Sequence, residues 1–131
     1  VSFNTTLSLY TIFDYTDLIE FLDKEFPGCF IHGQFAENIW PFVFTYSSEQ
    51  ISKLERIRHT NIYRNSSLFK SFIDGVINFA KSSKLDQPKL SEFFSYNDRL
   101  DKSRNSCLNN YIPELEHLRT LVGEENGINK T

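Results

Sequence analysis

Hydrophobic and polar positions alternate at the start of the chain. In TTLSLYTIF, Thr5 to Phe13, small or polar residues are interleaved with Leu7, Leu9 and Ile12, and the β-branched and aromatic content predicts a strand. The period changes at Asp14. In DYTDLIEFLDKEF an acidic cap, Asp17 in the first turn and an apolar face of Leu18, Ile19, Phe21 and Leu22 predict a helix, stopped by Pro27 and Gly28. CFIHGQF, Cys29 to Phe35, reads as a second strand. Strand, helix and strand in about 30 residues make one parallel βαβ unit. Such a unit normally belongs to a larger sheet, because two parallel strands alone leave most of both faces uncovered. AENIWPFVFTY, Ala36 to Tyr46, is apolar but broken by Pro41 and predicts a packed loop or short extended piece.

Helical spacing governs the remainder. Ser47 and Gln50 form a capping-box pattern ahead of ISKLERIRHT, where Ile51, Leu54 and Ile57 or Arg58 recur at helical intervals. SLFKSFIDGVINFAK places Phe69, Phe72, Ile73, Val76 and Ala80 on one face. Gly75 inside it costs up to about 1 kcal/mol relative to Ala, which predicts close packing against a neighbour. A further helix starts near Pro88, and its stripe is Leu90, Phe93, Asn97, Leu100 and Arg104, with Phe94 beside it. Two polar residues, Asn97 and Arg104, thus fall on a face predicted to be buried. Asp101 is placed to pair with Arg104, and Asp98 with Lys102. Pro113 opens the last helix, with Glu114 and Glu116 at its positive end and Leu115, Leu118 and Val122 facing inward. The division is residues 1–46, a βαβ unit with an apolar loop; 47–123, a helical extension; and 124–131, a frayed tail. The fold class is mixed α/β.

Composition narrows the function classes. At 131 residues and 40% hydrophobic the chain supports one core rather than two comfortable domains, and its 13 Phe and 6 Tyr predict a core of large rings. A net charge of −3, with 14 basic residues scattered among 17 acidic ones, provides no field for a phosphate backbone, so nucleic-acid binding is not expected. No apolar run approaches the roughly 20 residues that span a bilayer, and no charged head precedes an apolar core as in a secretion signal. The chain reads as soluble, without a membrane partner, and cytoplasmic. Methionine is absent even at position 1, which predicts a downstream piece of a longer polypeptide or a processed product.

Little of the sequence announces chemistry. Cys29 and His32 form C-x-x-H, but residues three apart on a strand face opposite sides, so no metal site is predicted; a buried thiol and a strand-end imidazole are. Cys29 and Cys107 are too few for a four-thiolate centre. His59 and His117 lack ligand-spaced neighbours and read as exposed helix positions. No nucleophile elbow, Walker loop or dinucleotide fingerprint occurs. The triplets at Asn4, Asn65 and Asn129 resemble glycosylation acceptors, as expected by chance in a chain rich in Asn, Ser and Thr.

The segment LSEFFSYNDRLDKSRNSCLNNYIPEL, however, resembles the closing segment of twitch-domain-containing radical S-adenosylmethionine (SAM) proteins, at Phe94, Leu100, Asp101, Arg104, Asn105, Pro113, Glu114 and Leu115. NTTLSLYTIFDYTDLIEFLD is similar to a late barrel strand and its following helix in the same group. The resemblance implies that the βαβ unit is the end of a partial (β/α) barrel and that the helices are a C-terminal extension. It implies SAM and a [4Fe-4S] cluster in the parent protein, with no cofactor bound by this segment alone. The implied partners are the missing N-terminal barrel half and a small-molecule or peptide substrate. In such folds reactive groups gather at the carboxyl ends of parallel strands, which would place Phe13, Gln34, Glu37 and Asn38 near substrate or cofactor and let Arg104 and Asn105 brace the extension or reach a ligand. Two features depart from the family: the closely spaced cysteine triplet is absent, and AENIWPFVFTYSSEQ replaces a passage rich in Pro and Leu. The alternative is a non-catalytic interaction or structural module, docking a partner through the loop around Trp40 and Phe42.

Overall fold

The computed structural model describes residues 1–36, 41–104 and 112–129, with side chains except those of residues 104 and 122–129. The chain divides into two compact units, Val1–Lys84 and Leu85–Thr131, where the composition led us to expect a single core.

The first unit begins with β1, Ser2–Leu7, and its neighbour β2, Phe30–Phe35, paired parallel in the register Ser2↔Phe30 to Leu7↔Phe35. Helix α1, Tyr15–Glu25, connects them, so the βαβ order expected from the pattern is present and the fold is mixed α/β. β1 ends at Leu7, not at Phe13 as expected. Hydroxyl groups account for the difference: Ser8 N–H donates to Thr11 Oγ1 at 3.0 Å, Tyr10 N–H to Ser8 Oγ at 3.1 Å, and the Thr11 hydroxyl to Thr6 O at 2.8 Å. These local bonds offer the backbone a turn in place of a ladder. Leu9 and Ile12 are still buried, but from a turn. Asp14 stands at the N-cap of α1 without a side-chain cap bond, another departure from expectation. The helix closes where Pro27 and Gly28 predicted, with Gly28 at φ +79°, a conformation that favours glycine.

After the 41–46 segment, α2, Ser48–Glu55, opens on the capping box: Gln50 N–H donates to Ser47 Oγ at 3.2 Å and Ser47 N–H to Gln50 Oε1 at 2.9 Å. The helix does not continue through Thr60. A 3-10 turn, Arg56–His59, leads to a five-residue helix, α3, Asn61–Asn65. Thr60 Oγ1 caps it by accepting from Tyr63 N–H at 3.2 Å, and the Asp23 carboxylate of α1 accepts from the N–H groups of Asn61 (3.2 Å) and Ile62 (3.0 Å). Helix α4, Ser67–Ser82, buries Phe69, Ile73, Val76, Ile77 and Ala80, close to the expected face. Its Gly75 does not mark close packing as expected, because a methyl group there would meet open space. Close approach occurs at Gly33 of β2, where an added Cβ would lie against the Phe72 ring of α4, 2.5 Å from Cδ2 and 2.9 Å from Cζ.

Both α1 and α4 pack on the same face of the sheet. The Tyr15 hydroxyl of α1 is 2.8 Å from Thr5 Oγ1, Phe26 lies edge-on to Phe3 at 5.1 Å, and Phe72 and Phe79 of α4 pack on Phe35 at 5.2 and 6.1 Å. An ion-pair seam joins α1 to α2 and the 3-10 turn: Lys53 Nζ meets Asp17 at 3.0 Å and Arg56 meets Glu20.

The second unit contains α5, Gln87–Arg104, and α6, Glu114–Asn129. Asp86 caps α5 by accepting Lys89 N–H at 3.1 Å, with Pro88 in the first turn. Leu90, Phe93, Phe94 and Asn97 are buried, as the stripe predicted, and the Asn97 amide donates to Phe93 O at 2.8 Å. Asp98 does not stand simply as a partner for Lys102: it takes a two-pronged bond from Arg119 of α6 at 2.7 and 3.0 Å, and that guanidinium lies 4.5 Å over the Phe94 ring. Among the described residues no helix is long and apolar enough to cross a membrane.

Candidate functional site

Strand alternation separates the sheet into two unlike faces. Phe3, Thr5 and Leu7 of β1 and Ile31, Gly33 and Phe35 of β2 turn toward α1 and α4 and are buried or half-buried. Ser2, Asn4 and Thr6 with Phe30, His32 and Gln34 form the other face, and all six are exposed. Register puts Asn4 beside His32 and Thr6 beside Gln34. The exposed Gln34 amide donates to Thr6 Oγ1 at 3.3 Å, and its carbonyl oxygen and second N–H are a further acceptor and donor. This face carries hydrogen-bonding groups without a fixed charge, together with one aromatic ring, Phe30. Its chemistry suits orientation of a polar ligand rather than attack on one.

Of the residues expected near substrate, Gln34 sits at the carboxyl end of β2, on this open face. Phe13 is buried just before α1, stacked on Phe44 at 5.7 Å, and its carbonyl accepts from Lys53 Nζ at 2.9 Å; with β1 ending at Leu7, it does not follow a strand. Glu37, Asn38, Trp40, Asn105 and Cys107 lie outside the described residues. Arg104 closes α5, and its side chain is likewise outside the description. Thr6 and His32 were legible only as strand positions, and Asn4 fell just before the expected strand. The signal that groups them is the alternation within SFNTTL, obscured when the strand is drawn from Thr5.

A second polar group joins the helices. Tyr63 donates its hydroxyl to Asp74 Oδ1 at 2.7 Å, and Arg58 Nε and Nη2 both reach the same oxygen at 3.3 Å while its Nη1 lies 3.5 Å from Glu55. Burial, reinforced by the Asp74 carboxylate, raises the Tyr63 pKa. Burial also pushes Tyr15 up to about 12 and raises Tyr46, whose hydroxyl donates to Pro41 O at 2.6 Å. All three phenols are held protonated, and those of Tyr46 and Tyr63 donate, which suits bracing and does not suit nucleophilic or basic work at neutral pH.

For a metal or cluster the described donors do not converge: they contain no group of three His, Cys, Asp or Glu side chains able to share an ion. Cys29 is buried with its Sγ 3.9 Å from Leu22 O, His32 is exposed on the open sheet face, and His59 and His117 are exposed on their own segments. A [4Fe-4S] cluster therefore does not fit the described side chains. No protein-family model, curated protein or solved structure matches this chain.

Proposed function

We propose that the chain is the distal portion of a radical SAM enzyme, in which β1, β2 and α1 are late elements of a partial (β/α) barrel and the later helices brace them. One observation carries the reading: both α1 and α4 lie on one face of the parallel pair, and the opposite face is exposed and, apart from Phe30, polar. A doubly wound sheet carries helices on both faces, whereas a barrel carries them outside and reserves the inner face for side chains and ligand. On this reading Asn4, Thr6, His32 and Gln34 line the inside and orient substrate. SAM and an iron–sulfur cluster supply the radical chemistry when bound, and they would be held by residues other than those described. The test is anaerobic reconstitution of the longest open reading frame that encodes this chain. A cluster absorption spectrum and reductive cleavage of SAM are expected; loss of both in properly folded protein rejects the proposal.

A non-catalytic interaction module is favoured by a different observation, the ring surface where Phe42 stacks on Phe79 at 5.5 Å and Phe79 remains 53% exposed. That reading expects a stable monomer from the isolated chain in gel filtration, and no cluster from the reading frame.

A further inference from the structure

We draw no further inference here: the strongest candidate, the exposed apolar patch on α1 at Leu18 and Phe21 beside the open edge of β1, carries nothing because nothing in the structure shows what covers it.

Discussion

Gly33→Ala isolates the contact that sets β2 against α4. The new methyl carbon would stand 2.5 Å from Cδ2 and 2.9 Å from Cζ of Phe72, whereas non-bonded carbons are at ease at about 3.5–4.0 Å. The ring must retreat by about 1 Å to restore that spacing, and its retreat is obstructed by Phe35 at 5.2 Å and Phe69 at 6.5 Å between ring centres. Overpacking of this kind costs roughly 1–3 kcal/mol, and relief of glycine's backbone entropy returns about 0.5–1 kcal/mol. A net loss of about 0–2.5 kcal/mol, centred near 1 kcal/mol, follows from those two terms, a fall in Tm of up to roughly 20 °C for a unit of this size. Phe72→Leu is the companion variant, since it removes the obstructing ring edge. Urea unfolding of wild type, both single variants and the double variant completes the cycle. The double variant is expected to be no less stable than Phe72→Leu alone. Equal or higher stability of Gly33→Ala than wild type, or strict additivity in the cycle, would refute the reasoning.

Three further outcomes follow from other contacts. Ser47→Ala removes half of the capping box of α2 and is expected to cost about 1 kcal/mol, read as a lower urea midpoint. Asp98→Asn, at an exposed ion pair, is expected to cost under about 1 kcal/mol, whereas Arg119→Ala also strips the cover from Phe94 and costs more; equal effects in urea unfolding would count against the stacking role. Alkaline stability depends on the phenols: Tyr15 is held near 12 in the folded chain against 10.0 for the free side chain, so between those values the unfolded state has lost its proton and the folded state has not. Its contribution is present below pH 10 and disappears toward pH 12. The urea midpoint is expected to fall over that window, and to fall less steeply in Tyr15→Phe; identical slopes would show that Tyr15 is not the group responsible.

Features decided by neighbours in the chain were legible before the structure. The Ser47 box, the stop at Pro27 and Gly28, and the α4 and α5 faces depend on residues within about four positions, and each lies where local physics puts it. Asn97 was even placed on a buried face against its polarity. What escaped notice depends on distance or on competition. The Ser8–Thr11 hydroxyl turn overrode a sequence rich in strand formers. Thr60 ended one helix and began another where apolar spacing alone ran on. Arg119 reached Asp98 across 21 positions, and Gly33, not Gly75, proved to be the glycine a neighbour requires. The candidate site was half legible: Gln34 was placed correctly on its strand, but its companions Asn4, Thr6 and His32 became a group only once the register of the two strands was known.

Asp23 gives α3 a conditional existence. Five residues are too few to persist as an isolated helix in water, and the carboxylate that receives the N–H groups of Asn61 and Ile62 belongs to a residue 38 and 39 positions upstream. A peptide cut from residues 56–66 is therefore expected to be coil by circular dichroism. Within the folded unit this short helix therefore draws on a carboxylate from α1 as well as on its own Thr60 cap.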